Sequence, residues 1–353
     1  GTVEVEVALS FQTLEGVTVT AQVAGQLSAI NEQFRSATVG NVVSSDRIQE
    51  LPDNNAAESI GRLPGVAIQR SGGEANRVAI RGLSPKYNTV TVNGVRLPST
   101  GEGDRSVDLS LVSSNVLGGI EVRKAITPDM DGDAVGGSVD LRLRNAPSGL
   151  SVDLLGQGGY TGLQDAYGNY KVVGTVSNRF WGDRVGLIAT LNTDSYDRSA
   201  DKVSVGYGQS SDAETGESIA YVNSINTREE TVTRGRSGGS LLLDYTVPLG
   251  RVTANAFYNE LRSDGFYRLQ GATENNLNYS VQDVGGTVSV LTSALGIEQD
   301  FGAIRYDVTG SLTRSRADNP GSTGFTFTDD GTGFTLGQSG LFGVPALEFG
   351  PLL

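Results

Sequence analysis

From residue 148 onward the chain alternates between apolar and polar side chains in segments of about ten residues. Val185, Leu187, Ala189 and Leu191 alternate with Gly186, Ile188, Thr190 and Asn192. Val252, Ala254, Ala256 and Tyr258 alternate in the same way with Thr253, Asn255, Phe257 and Asn259. A period of two sends successive side chains to opposite faces, so each segment predicts a strand with one apolar face. Tight connections are expected near 181–184, 248–251 and 300–302, and long ones over about 196–230, 263–286 and from 317. Short turns on one side and long loops on the other is the asymmetry of a membrane barrel, and Phe180, Trp181 and Tyr245 lie beside the short turns, where an aromatic girdle belongs.

Residues 46–147 carry a different pattern, that of an α+β domain. Asn55 and Glu58 have capping-box spacing, Ala56, Ile60 and Leu63 share a helical face, and Pro64-Gly65 ends the helix. Short strands are expected at 66–69 and 78–81 around a Gly72-Gly73 turn, and at 89–92 before an Asn93-Gly94 turn. A second short helix is predicted over 109–115, and strands at 120–123 and 138–143 close the domain. Before it, residues 1–14 open in a period-two alternation and are expected to be the end of a preceding domain, which the resemblance given below implies is β-sandwich-like. Residues 15–45 combine a short β-prone run with a polar linker that leads into a strand at 38–44.

Composition narrows the chemistry. Gly supplies 48 of 353 residues, about twice the usual ~7% share, which suits many strands and tight turns. Hydrophobic residues make up 37%, and no apolar run approaches the ~18 residues of a membrane helix. With no His and no Cys in these residues, Ser-His-Asp catalysis, thiol catalysis and Cys-ligated zinc are excluded. The net charge of −13 provides no basic footprint for nucleic acid. Asp129, Asp131 and Asp133 have the spacing that starts a calcium loop, but Ala134 and Asp140 stand where its Gly and Glu belong. Gly156-x-Gly158 lacks the third glycine of a dinucleotide loop, since Thr161 takes that place. No enzyme, metal or cofactor is therefore expected.

Five stretches then occur in an order and spacing that resemble the plug of TonB-dependent outer-membrane receptors. They are Ser59-Ile60-Gly61-Arg62-Leu63-Pro64-Gly65-Val66, Val78-Ala79-Ile80-Arg81-Gly82, Val92-Asn93-Gly94-Val95-Arg96, Gly119-Ile120-Glu121-Val122 and Gly136-Gly137-Ser138-Val139. Leu83–Asn88 and Lys124–Asp129 make the version similar to large receptors of Bacteroidota and some Proteobacteria. The resemblance implies an α+β plug domain inside an all-β transmembrane antiparallel barrel of about 22 strands, whose lumen needs such a cork. About seven strands are expected by residue 316, too few to close a barrel without leaving unpaired edge groups in lipid. Residues 148–353 are accordingly expected to be its N-terminal portion.

The resemblance further implies energised import, by an outer-membrane protein whose plug and N-terminus face the periplasm, of a scarce nutrient: a siderophore, vitamin, oligosaccharide or peptide. The alternative it leaves open is a receptor-derived docking subunit of a surface complex. Val17, Thr18, Val19, Thr20 and Ala21 resemble the box gripped by the C-terminal domain of TonB, itself driven by the ExbB/ExbD complex, and a β-prone tethered segment can add as a strand to a partner's sheet. Ligand contacts are expected in plug loops at Arg70, Glu74, Lys86, Tyr87, Asn88, Glu102, Asp104 and Arg105, against the plain alternative, favoured for any single one of them, of a solvated turn residue. Arg81, Arg96, Glu121 and Arg123 are candidates for polar plug–barrel contacts, against the plain alternative of surface charge. Outer-membrane lipids and a surface lipoprotein complete the expected partners, with no nucleic acid among them.

Overall fold

Asn55 starts the plug's best-formed helix as its spacing predicts. In the computed structural model, which describes residues 40–51, 53–100, 105–128, 130–211, 218–273 and 276–331, its side chain accepts a hydrogen bond from the Glu58 backbone N–H at 3.1 Å. The Glu58 carboxylate reaches back to the Asn54 N–H at 3.0 Å, one residue earlier than an ideal capping box. Among the described residues the plug has two short α-helices, α1 (Ser45–Glu50) and this capped one, α2 (Ala56–Ile60). α2 ends at Gly61, short of Leu63, which closes a turn onto the Ile60 carbonyl instead. Asn55→Ala is expected to destabilise the plug by about 2 kcal/mol, because the cap and two buried side-chain donations are lost together. The midpoint of denaturant unfolding of the full-length protein checks this.

The plug's strands are β1 (Gly40–Ser44), β2 (Val66–Ser71), β3 (Glu74–Ile80), β4 (Asn88–Val92), β5 (Val95–Arg96), β6 (Leu117–Arg123) and β7 (Gly137–Leu143). β2 and β3 form a hairpin in which Gly72 and Gly73 both take positive φ, 58° and 74°, as a type I′ turn demands. The other five make one sheet in the order β1-β6-β7-β4-β5, parallel only between β4 and β7. Its inner face buries Val92, Ile120, Val122, Val139 and Leu141 against Ile60 and Ile80. The helix expected over 109–115 is instead two 3-10 turns, Leu109–Leu111 and Ser114–Val116. The Val112 carbonyl is taken by the Ala56 N–H at 2.9 Å, and Ser113 bridges to Asn55, so the backbone between the turns is extended.

Nine further strands form a single antiparallel sheet: β8 (Ser151–Thr161), β9 (Ala166–Phe180), β10 (Val185–Asp197), β11 (Ala200–Ser211), β12 (Ser218–Val247), β13 (Gly250–Thr273), β14 (Asn276–Asp300), β15 (Arg305–Asp318) and β16 (Ser322–Asp330). Seven lie along the path β15-β14-β13-β12-β10-β9-β8, in line with the expected count, while β11 pairs with β12 and β16 with β14. The tight connections at 181–184, 248–249 and 301–304 fall where the sequence puts them. Much of the long connections does not form loops: the ladder between β12 and β13 continues to Ser224↔Thr273, and that between β11 and β12 covers Ala200–Ser211. Beyond the expected bilayer height these strands lose their apolar alternation but keep backbone pairing, and pattern reading sees only the first.

The sheet has two unlike faces. Outward side chains such as Leu191 (73% exposed), Leu241, Leu243, Leu295 and Val308 are apolar and uncovered. Inward positions Thr190, Asn192 and Asp194 on β10 are buried against the plug side. Gly238 and Gly239 sit where neighbouring strands come closest: a Cβ on them would lie 2.1 Å from Asn259 Oδ1 and 2.5 Å from the Thr190 carbonyl oxygen. Among the described residues no helix is long and apolar enough to cross a membrane, a statement that does not touch strands.

Candidate functional site: the charged seam between plug and sheet

The plug meets the sheet at Glu74, the first residue of β3 after the Gly72-Gly73 turn. Its carboxylate is fully buried (0% exposed) and faces three guanidiniums supplied by the sheet. Arg236 Nη1 lies 2.7 Å from Oε1, Arg198 3.7 Å from the same oxygen, and Arg234 3.5 Å from Oε2. Asn55 Nδ2 donates to Oε1 at 3.1 Å, which ties the α2 cap to the same carboxylate.

Strand geometry explains how the sheet supplies them. Arg234 and Arg236 are two apart on β12 and therefore share a face, as do Asp194 and Tyr196 on β10. Asp194 and Arg236 are register partners, and Arg236 Nε donates to Asp194 Oδ1 at 2.8 Å. Arg236, 2% exposed, also donates to the Ser110 carbonyl at 2.8 Å, and Arg234 donates to the Ser71 carbonyl at 3.1 Å and to its hydroxyl at 3.3 Å. The Tyr196 ring lies beneath Arg198 at 5.1 Å and Arg236 at 5.9 Å, while its hydroxyl donates to Asn54 Oδ1 at 3.2 Å. Burial pushes the Glu74 carboxyl up; Arg236, Arg198, Arg234 and the Asn55 bond outweigh it and hold the group below its ordinary 4.5. Glu74 is therefore an anion at neutral pH, within a cluster that carries more positive than negative charge.

An apolar patch adjoins the charged seam. Phe257 and Leu261 of β13 and Val290 of β14 belong to the same buried cluster as plug residues Leu109, Leu111 and Ile80. Part of the plug's own core is thus furnished by the wall.

The residues singled out from sequence are distributed differently from expectation. Glu74, expected among exposed ligand contacts, is at the centre of the seam, because a carboxylate enclosed by three arginines has no access to solvent. Asn88 is also buried and braces the hairpin by donating to the Val78 carbonyl at 2.8 Å. Lys86 and Tyr87 stand together at the surface, the ammonium 5.1 Å from the ring centroid, and Arg70 and Arg105 are exposed at their own turns. The four proposed plug–barrel contacts have their hydrogen-bond and ion-pair partners inside the plug: Arg81 on the Gly136 carbonyl, Arg96 on Asp131 and Asp133, and Arg123 on Glu121, which also holds Arg142 at 2.6 Å. The physical reason is direction. The wall's arginines reach in to a plug carboxylate, whereas Arg96 and Arg123 find carboxylates, and Arg81 a backbone carbonyl, within the plug. Asp131 and Asp133 are engaged by Arg96 and Arg105, and among the described residues no group of acids could hold a metal ion. Glu102, Asp104, residues 1–14 and the box at 17–21 lie outside the described residues.

The seam's own residues escape the sequence pattern because Tyr196, Arg198 and part of β12 fall within a stretch whose polarity predicts a loop. The i, i+2 pairs Asp194/Tyr196 and Arg234/Arg236 are the signal that a strand reading of 194–236 would find.

A domain cupped against one face of an antiparallel sheet whose other face is apolar defines a plugged wall. Residues 32–138 match the family model of the TonB-dependent receptor plug domain. It is 29% identical over 144 residues to a vitamin B12 transporter, BtuB, of Photobacterium profundum, a match that covers 40% of this chain and 23% of the relative. With the BtuB of Vibrio vulnificus it shares 30% over 116 residues, 31% of this chain and 19% of the relative. The matched segment is thus under a quarter of the length of these curated relatives. Similar solved structures include the Acinetobacter baumannii ferric preacinetobactin receptor BauA (TM-score 0.47, 14% identity, 82% of this chain and 48% of that one) and the unliganded ferric citrate transporter FecA (0.44, 14%, 86% and 60%).

Proposed function

We propose that the chain forms the plug and first wall strands of a transporter that imports a scarce nutrient across a bacterial outer membrane, the plug and N-terminus facing the periplasm. The division into a preceding domain (1–14), box and linker (15–45), plug (46–147) and partial barrel (148–353) belongs to this proposal. The observation that carries it is the seam: the plug is held to the wall by a few buried polar contacts beside a small apolar patch. Such contacts seat a plug firmly at rest and can be broken one after another under load, because each hydrogen bond is lost once donor and acceptor separate beyond about 3.5 Å. The curated relatives' names, vitamin B12 transporters, favour import over a docking role. Cargo is a siderophore, vitamin, glycan or peptide, met first by the exposed Lys86–Tyr87 pair with Arg70, Glu102, Asp104 and Arg105. Outer-membrane lipids cover the apolar face, and a surface lipoprotein is a candidate lid.

The energising contact in this reading is Val17, Thr18, Val19, Thr20 and Ala21 adding as a strand to the TonB C-terminal domain. Proline has no N–H to donate and fixes φ, so Val19→Pro is expected to abolish capture of the full-length protein by that domain. Pull-down of wild type and variant measures this. Capture unaffected by the proline removes residues 17–21 from the energising role, and capture of neither form removes TonB-driven import.

A further inference from the structure

Behind the charged seam, between the plug and strands β8–β10, lies a cavity of about 530 Å³. Its walls include Asp53, Asn54 and Asn115 from the plug, and Gln157, Lys171 and Tyr196 from the sheet. Lys171 is 4% exposed and sits on β9 between Gln157 on β8 and Asp194 on β10, its register partners. Among the described residues it makes no hydrogen bond and no ion pair within 4.0 Å, although a buried ammonium ordinarily requires one. Of the nearby carboxylates, Asp53 is engaged by Arg62 and the Ser59 hydroxyl and Glu74 by three arginines, while Asp194 uses Oδ1 for Arg236 and its Oδ2, across the ladder from Lys171, has no hydrogen-bond partner. Counting the groups of the cavity and the adjoining seam together, Lys171, Arg198, Arg234 and Arg236 give four positive charges, against three from Asp53, Asp194 and Glu74.

We infer that this cavity binds an oxyanion, a carboxylate or phosphate group, with Lys171 as its anchor and the amides of Gln157 and Asn115 as hydrogen-bond donors. Resting on the import reading, this makes the plug–wall gap a station for a cargo that carries a negative charge, next to the seam that must open for passage. A fixed cation in a confined space raises the local concentration of anions and lowers that of cations.

The absence of cysteine from these residues provides the test. In purified full-length protein, Gln157→Cys is labelled with an anionic sulfonate and a cationic ammonium methanethiosulfonate of similar size, with the unsubstituted protein as background. The anionic reagent is expected to gain on the cationic one by about tenfold relative to a free thiol, the scale of one partly desolvated charge at this range. The preference should vanish in Lys171→Gln and persist in Lys171→Arg, which also shows that the cavity survives substitution at this position. Protection by inorganic phosphate would mark a site open to the free ion, and protection by citrate alone a site for cargo-borne carboxylates. An equal rate ratio in all three backgrounds, with neither anion protecting, would overturn the inference and leave Lys171 as a partner of Asp194. The assay needs neither TonB nor uptake. Loss of TonB capture with the anion preference intact therefore refutes import alone, and the reverse refutes the anion site alone.

Discussion

Glu74→Gln is expected to weaken the plug's attachment to the sheet by about 3–5 kcal/mol, the range for removing one partner of a buried ion pair. The reason is the charge left behind. Arg198, Arg234 and Arg236 converge on one carboxylate, and the amide that replaces it cannot neutralise any of them. Pulse proteolysis of the full-length protein across a urea series reads the effect as a lower midpoint for cleavage of the plug. Arg236→Met in the Glu74→Gln background should cost less than it does alone, since the two residues share one interaction. Two conditions separate this contact from surface pairs such as Arg262–Asp264: added salt should change it little, and pH should change it in one direction. Glu74's carboxyl is held below its ordinary 4.5, so its contribution is fully present above that value and is lost as pH falls through the lower, folded-state value. Equal midpoints for wild type and Glu74→Gln at pH 7 would show that the seam does not hold the plug.

How much of this is legible in the sequence depends on what each feature requires. The Asn55 cap, the Gly72-Gly73 and Asn93-Gly94 turns and the alternation on β10 and β13 are set by neighbours in the chain, and all stand where the pattern predicts. The 109–115 segment departs from its predicted helix because Val112's carbonyl is claimed by Ala56, a residue far away in sequence. The polar upper parts of β11–β14 depart from the predicted loops because pairing, not burial, holds them. The seam is the least legible part. Each of its residues is an ordinary charged side chain in its own segment, and only the register Asp194↔Arg236 and the docking of β3 bring them to one point. Arg81, Arg96 and Arg123 have their described partners inside the plug, and no local rule distinguishes an Arg that pairs within its own domain from one that reaches across a gap.

The other large effect is expected at Phe257, where the contact is apolar. Its side chain is 1% exposed although it belongs to a wall strand, since it completes the plug's core near Leu109 and Leu111. Phe257→Ala should lower the plug's proteolysis midpoint by the equivalent of about 3–5 kcal/mol, through lost burial and the cavity left behind. Phe257→Leu, which keeps most of the volume, should cost about 1 kcal/mol. The sheet itself should be unaffected, because residue 257 pairs through its backbone with Ser240 and Thr292 whatever its side chain. Asn259 and Thr292 next to it have buried side-chain atoms without protein partners, so the apolar contact that Phe257 shares with Leu261 and Val290 is bordered by polar wall. The Phe257 effect should not change with pH, whereas the Glu74 effect should shrink as pH falls below 4.5 and through the carboxyl's lowered folded-state value. If both variants respond to pH alike, plug and wall are not held by two separable contacts, and the plug must leave the wall in one step; distinct responses mean that a pulling force meets the charged and the apolar contact as two successive barriers.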